Sequence, residues 1–267
     1  GIAGRKNPDG SISILAVAKE DSASYIRKGV AYNIERTAQG LSNIVSKLKN
    51  TLKTEIEQVY VGIGGQSIHS VKNSIVKELP LDCIVSQDMV NELMDTNRSM
   101  EYKDCEILDA ITQEYNVDGH YEDDPVGIQA RHLEGNFLNV LWRRSFYRNL
   151  NKSLDNSGIK VAEMYLAPLT MADCVLTDAE KRAGCVLVDL GADTTTVSVY
   201  YRNKLRHIAV LPLGGSNVTK DLESLQIDEI NAEAMKLKHA SALTNEKDID
   251  ADATLPIGDG RTILSRM

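Results

Sequence analysis

The chain is poor in the residues that build metal cages and redox centres. It has four cysteines, Cys83, Cys105, Cys174 and Cys185, and no CxxC spacing among them. They read as free, mostly buried thiols in a reducing compartment. Its five histidines, His69, His120, His132, His207 and His239, form no HExxH or paired ligand spacing. No metal site is therefore expected from protein side chains alone. Basic charge is in deficit, with a formal net charge of -8, which argues against a general nucleic-acid binder. No apolar run reaches the length of a transmembrane helix, and the start shows no signal-peptide pattern. A GxSxG elbow, a 20–50-residue repeat and a low-complexity tract are also missing.

What is present is ordinary for a folded protein. The 267 residues are 42% hydrophobic and 25% charged, enough for one large domain or two smaller ones with a real core. The chain starts at Gly1 inside a strand-like stretch and stops at Met267 after a loop rich in Asp and Gly, so a fragment is expected.

Periodicity sets out a mixed α/β order. Two strands, 2–6 and 11–17, flank Asn7-Pro8-Asp9-Gly10, a strong turn signal. Ile34, Ala38, Leu41, Val45, Leu48 and Leu52 share one face of a helix that Asn33 can cap. A buried strand, 59–63, ends at Gly64-Gly65. From about residue 70 the texture changes to half-exposed strands (71–79, 107–117, 129–141) around a short helix capped by Ser86. That block reads as an inserted subdomain. A helix over 144–157 stops at Gly158, a strand covers 161–165, and Pro168 opens a helix to Leu176. Three strands follow, 185–190, 195–200 and 205–211. Gly214-Gly215 then leads into a short helix near 217–222, and Asp228 caps another over 229–240.

The stretch from Cys185 to Tyr200 carries the most chemistry. A hydrophobic strand delivers Asp189 at its end, a tight turn follows, and Thr194, Thr195 and Thr196 open the next strand. Backbone N–H groups and hydroxyls beside one acid suit a nucleotide phosphate and its metal ion. The strand–turn–strand context excludes a Walker A loop and a Rossmann fingerprint, both of which open a helix. On its own the turn is equally a plain hairpin with a polar tip. The glycine pair 214–215 strengthens the phosphate reading, because it lets backbone approach closely and precedes a helix expected to start with free N–H groups. Gly62-Ile63-Gly64-Gly65-Gln66-Ser67 lacks the third glycine of GxGxxG and runs into a strand-like stretch, so no dinucleotide site is expected there. The mixed aromatic and basic run Trp142–Arg148 reads as a helix start with solvated arginines, and a protein contact surface stays open there. Glu106, Asp109 and Glu114 read as a solvated face.

These segments together resemble the FtsA family, actin-like bacterial cell-division proteins within the actin, Hsp70 and sugar-kinase superfamily. The resemblance rests on Lys28-Gly29-Val30, Val59 to Ile68, Pro125-Val126-Gly127-Ile128, Gly158-Ile159-Lys160-Val161 and, most specifically, Cys185 to Leu222, in that order. It implies an actin-like α/β fold of ribonuclease-H-like lobes, with a small α/β insert of the SHS2 type. The expected division puts 1–69 and 146–183 in the first lobe and 70–145 in the insert. Residues 184–226 start the second lobe and 227–267 its cap. The fragment would lack the first strand and the C-terminal part.

The resemblance also implies ATP and Mg²⁺ as cofactors of the full-length protein, with at most weak ATPase activity. Asp189 would hold Mg²⁺ through water. Gly191, Ala192, Asp193, Thr194 and Thr195 would cradle the phosphates, and Gly214 and Gly215 would line the cleft. Glu233 and Lys236 would sit on the adenosine side, sharing one helix face by their i, i+3 spacing. Expected partners are the C-terminal tail of FtsZ, further copies in a protofilament, other division proteins, and the membrane through a C-terminal amphipathic helix. The expected location is the cytoplasmic face of the inner membrane at the division site. Ala192 and Asp193 stand where the pattern usually has glycines, and Asp193 would repel phosphate unless a cation lies between them. A pilus-assembly scaffold like PilM and a small-molecule kinase of the same superfamily are the alternative readings.

Overall fold

The computed structural model describes residues 1–242 and the strands 254–256 and 262–264. Two compact units divide the chain. One holds Gly1–Asp189 and Thr194–Pro212, the other Leu190–Asp193 and Leu213–Met267.

The first unit begins with an antiparallel hairpin, β1 (Ile2–Lys6) and β2 (Ile12–Val17). Its turn is built as the residue types demand: Asp9 Oδ1 accepts from the Ser11 N–H at 2.9 Å, and Asn7 accepts from the Gly10 N–H at 3.0 Å. A two-residue pair follows, β3 (Ile26–Arg27) and β4 (Val30–Ala31). Helix α1 (Ile34–Leu52) starts at Asn33, whose side chain accepts from the Arg36 N–H. Its buried face presents Ala38 and Leu48, and Leu48 joins Ala16 and Ala18 in a small core against β2.

Strand β5 (Val59–Ile63) runs parallel to a later strand over Val161–Leu166, and leads into β6 (His69–Glu78). Ser86 caps α2 (Gln87–Arg98). Strands β7 (Cys105–Val117), β8 (His120–Glu122) and β9 (His132–Arg143) complete the block expected as an insert. Its own core gathers Val85, Val90, Leu93, Leu133 and Phe137 between α2 and the sheet. Helix α3 (Arg144–Ser157) ends at Gly158, whose left-handed φ of 67° suits glycine. Then come β10 (Val161–Leu166), α4 (Ala167–Val175), α5 (Asp178–Ala183), β11 (Cys185–Leu190), β12 (Thr195–Tyr201) and β13 (Lys204–Leu211).

Sequence patterning alone did not anticipate how these strands join. The block does not keep a separate sheet. Seven strands form one sheet in the order β11-β12-β13-β6-β9-β7-β8. The seam between β13 and β6 is short, with Ala209 opposite His69 and the Val210 N–H on the Ile68 carbonyl at 2.9 Å. Side chains reinforce it. The Ser70 hydroxyl accepts from the Ile208 N–H at 3.0 Å, and buried Gln113 of β7 donates to the Leu205 carbonyl at 3.1 Å. The main core runs beneath the sheet through Ile68, Leu138, Val140, Trp142, Tyr200, Ile208 and Val210. Burial first, then Asp173 and Cys185, push the Tyr200 hydroxyl up to about 12.

The second unit contains α6 (Gly215–Glu223), α7 (Glu229–His239) and a small hairpin, β14 (Thr254–Pro256) with β15 (Thr262–Leu264). Ile227, Ala232 and Met235 pack the two helices together, with Leu222 and Leu225 against them. Asp228 caps α7, and the Asn231 N–H on its carboxylate holds that group below the usual range. No helix among the described residues is long and apolar enough to cross a membrane.

Candidate functional site

The strand that carries Asp189 is built by alternation. Cys185 and Leu187 pack against the main core, and Asp189, two residues on, is half-buried. Val186, Val188 and Leu190 are exposed. Beyond the turn, Thr194 and Thr195 are half-buried and Thr196 is buried, with Thr195 opposite Leu211. These residues of the first unit lead by chain continuity into and out of the tip 190–193, which belongs to the second.

Within the second unit the tip and the glycine turn are locked together. The Gly215 N–H donates to the Gly191 carbonyl at 3.0 Å, and the Ser216 N–H to the Ala192 carbonyl at 2.7 Å. Gly214 is what permits the approach. A Cβ there would lie 2.4 Å from both the Gly191 and the Ala192 carbonyl oxygens, closer than any side chain tolerates. Gly214 donates in turn to Asn217 Oδ1 at 2.9 Å. This corrects one expectation. The first amides of α6 are not free, because the hairpin tip supplies carbonyls to Gly215 and Ser216, and the Asn217 N–H returns to Gly214.

Glu233 and Lys236 come together as their spacing predicts, and they reach further than a pair. The Lys236 ammonium donates to Glu233 Oε2 at 2.6 Å, to the Thr219 hydroxyl at 2.9 Å and to the Gly215 carbonyl at 3.2 Å. Thr219, buried on α6, donates to Glu233 Oε2 at 2.6 Å. The Lys236 ammonium, and next the Thr219 hydroxyl, hold the Glu233 carboxyl below its ordinary value. Sequence reasoning missed Thr219. Its i+4 place after Gly215 was the available signal.

The donor set suits Mg²⁺ arriving with a nucleotide. Among the described residues no three His, Cys, Asp or Glu side chains cluster as a metal cage. Mg²⁺ instead takes one or two carboxylates beside phosphates and keeps several waters, and Asp189 offers one half-buried carboxylate. Asp193 is exposed at the tip.

Known proteins resemble this chain in sequence and in fold. Residues 186–264 match the family model "Cell division protein FtsA", and residues 65–141 match "SHS2 domain inserted in FTSA". A cell division protein FtsA of Porphyromonas gingivalis is 34% identical over 251 residues, covering 92% of this chain and 52% of the relative. The chain belongs to the FtsA family. The Escherichia coli FtsA is 27% identical over 265 residues, 97% of this chain and 62% of that protein. The chain thus spans about half to three-fifths of the length of these relatives. Among solved structures, a PilM–PilN type IV pilus biogenesis complex matches with a TM-score of 0.57 at 14% identity, over 89% of this chain and 65% of that one. The fold is actin-like with an inserted SHS2 domain.

In this FtsA-family chain the remaining sequence features find structural uses. Gly65 has a φ of 134°, and a Cβ on it would meet the Gly29 carbonyl oxygen at 2.6 Å. The near-dinucleotide motif is therefore a close backbone contact with the Lys28-Gly29 turn, sealed by the Gln66 N–H on the Lys28 carbonyl at 2.9 Å. Lys28 Nζ donates to the Pro212 carbonyl at 3.0 Å. Trp142 is buried near the end of β9 and donates to the Gln66 carbonyl at 3.0 Å, so the aromatic-basic run is a strand end through Arg143 and a helix only from Arg144. Glu106 and Glu114 are not simply solvated: they pair with Arg144 at 2.7 Å and Arg206 at 3.2 Å. The four cysteines are free, but less buried than expected, with Cys174 exposed and the others half-buried.

Proposed function

We propose that the chain works within an actin-like cell-division protein that binds ATP with Mg²⁺. The observation that supports this most is the close fit of Gly214 against the Gly191 and Ala192 carbonyls, which makes the hairpin tip and the glycine turn one piece. Residues 191–195 would face the phosphates, and Gly214 and Gly215 would line the same site. Glu233 and Lys236 would lie on the nucleoside side. Asp189 would hold Mg²⁺ through water, and the ion would offset phosphate charge, including its repulsion by Asp193. Family membership supports, as further parts of this proposal, assembly into protofilaments, a link to the FtsZ tail, contacts with other division proteins and attachment to the membrane at the septum, all of the full-length protein.

Calorimetry of ATP binding to the full-length protein with Mg²⁺ tests the site. The wild type should bind and Asp189→Ala should lose detectable binding. Unchanged affinity in that variant would remove Asp189 from the site. Co-sedimentation with FtsZ on vesicles, with and without ATP, tests the assembly. A pilus role is less well supported, because that likeness is one of fold at 14% identity while sequence identity to FtsA reaches 34%.

A further inference from the structure

We propose that Thr219 is the positioning residue of the candidate nucleotide site. It acts through Lys236 and Glu233 to fix the Gly215 peptide group and to orient the Glu233 carboxylate. The proposal rests on the nucleotide reading above for its ligand, and on geometry alone for the fixing of the turn.

An ammonium has three donors, and Lys236 finds three oxygens within 3.2 Å, from Glu233, Thr219 and Gly215. No N–H of Lys236 is left for a ligand. Its side chain is only 17% exposed, consistent with an internal strut. Lys236 therefore serves the site through the Gly215 carbonyl. The N–H of that same peptide group, carried by Ser216, is held by the Ala192 carbonyl at 2.7 Å, and the Gly215 N–H by the Gly191 carbonyl at 3.0 Å. Gly215 is thus gripped on one side by the hairpin tip and on the other by α7.

Thr219 closes the circuit. Its hydroxyl has one proton and two lone pairs. The 2.6 Å contact to Glu233 Oε2 is the length of an O–H donated to a carboxylate, so the proton goes there. The oxygen then accepts from Lys236 at 2.9 Å. Every bond to Glu233 in this network ends on Oε2. Among the described residues Oε1 has no partner in this network, so it can accept from a hydroxylated ligand, such as the sugar of a nucleoside, on a side chain that is 44% exposed. Without the Thr219 hydroxyl, Lys236 loses one of three acceptors and Glu233 loses the donor that sets its plane.

The test compares wild type, Thr219→Val and Thr219→Ser in the full-length protein. Hydrogen exchange without nucleotide comes first. Thr219→Val should speed exchange of the Gly215 and Ser216 amides about tenfold, and Thr219→Ser should restore protection. If Thr219→Val folds poorly, Lys236→Met should expose the same two amides. Wild-type protection of these amides in both variants overturns the proposal. ATP affinity comes second. Thr219→Val should weaken ATP about tenfold, and the acid limb of its pH profile should move to higher pH, since Glu233 loses one of two groups holding it ionised. Wild-type affinity with an unmoved profile overturns the ligand half. If the wild type binds no ATP, the nucleotide reading falls, and the exchange result still decides whether Thr219 holds the turn.

Discussion

The Gly215 N–H rests on the Gly191 carbonyl at 3.0 Å, so a glycine 24 positions along the chain closes the tip of the Asp189 hairpin. The neighbouring glycines do unequal work in this contact. At Gly214 a Cβ would sit 2.4 Å from two carbonyl oxygens of the backbone, which cannot swing away as a side-chain end could. At Gly215 the nearest atoms to a Cβ are Lys236 Nζ at 3.7 Å and the Gly191 oxygen at 3.9 Å, ordinary contacts. Gly214→Ala should therefore lower stability by about 1–3 kcal/mol and separate the two turns. Gly215→Ala should stay within about 1 kcal/mol of wild type, since alanine also favours the first turn of α6. Urea unfolding of both variants checks the contrast.

Glu233 gives a pH dependence with a definite sign. Its carboxyl is held below the ordinary 4.5 by Lys236 first and Thr219 second. A depressed folded value means that the unfolded chain binds the proton more readily. The stabilisation is fully present above the unfolded value and is lost as pH falls through the folded one. Glu233→Gln should thus be less stable than wild type at neutral pH, and the gap should narrow below about pH 4.5. Thermal melts of both proteins between pH 3 and 7 follow it. A gap that widened on acidification would show that Glu233 is not an ionised partner of Lys236.

Elements with local causes were legible in the sequence, and contacts between distant segments were not. Asn33 and the Ile34-to-Leu52 stripe gave α1 because cap and period agree within one stretch. Helix α5 carries a local signal that was not picked up: Thr177 and Glu180 form a capping box, with the Glu180 carboxylate on the Thr177 N–H at 2.8 Å. It was missed because six residues show no period. The pair β3–β4 and the strand β8 are likewise too short for alternation to register. For the candidate site, sequence pointed to Asp189, the glycine pair and the Glu233–Lys236 spacing. It could not show that α6 spends its first amides on Gly191 and Ala192, because those carbonyls arrive through tertiary folding. Thr219 stayed hidden for the same reason. Nothing in its neighbours reveals that Glu233 lies 2.6 Å away.

Gly65 separates packing from ligand binding in a motif that invites the second reading. Its φ of 134° strains any side chain, and its Cβ direction is blocked by the Gly29 oxygen at 2.6 Å and the Gly29 carbonyl carbon at 2.8 Å. Gly65→Ala should cost about 2 kcal/mol or more. Gly10→Ala makes a fair control, since its φ of 86° carries similar strain but nothing lies within 4 Å. The larger loss at Gly65, measured by chemical denaturation, would isolate the backbone contact from the dihedral cost. Equal losses would mean that the approach of the two glycines is not tight in solution.

Asn97 and Asn139 tie α2 to β9 inside the inserted block, and both side chains are fully buried. Asn97 Nδ2 donates to Asn139 Oδ1 at 2.7 Å, and Asn139 Nδ2 donates back to Asn97 Oδ1 at 2.9 Å. Asn73 and the Tyr102 hydroxyl complete the network, each at 2.9 Å. Removing one partner strands the other without water, so Asn97→Ala should cost about 1–3 kcal/mol. The double replacement Asn97→Ala with Asn139→Ala leaves no amide of that pair unsatisfied, and it should cost less than the sum of the two single alanine variants. A double-mutant cycle by urea unfolding reads this directly. Strict additivity would mean that the two amides do not act as a pair.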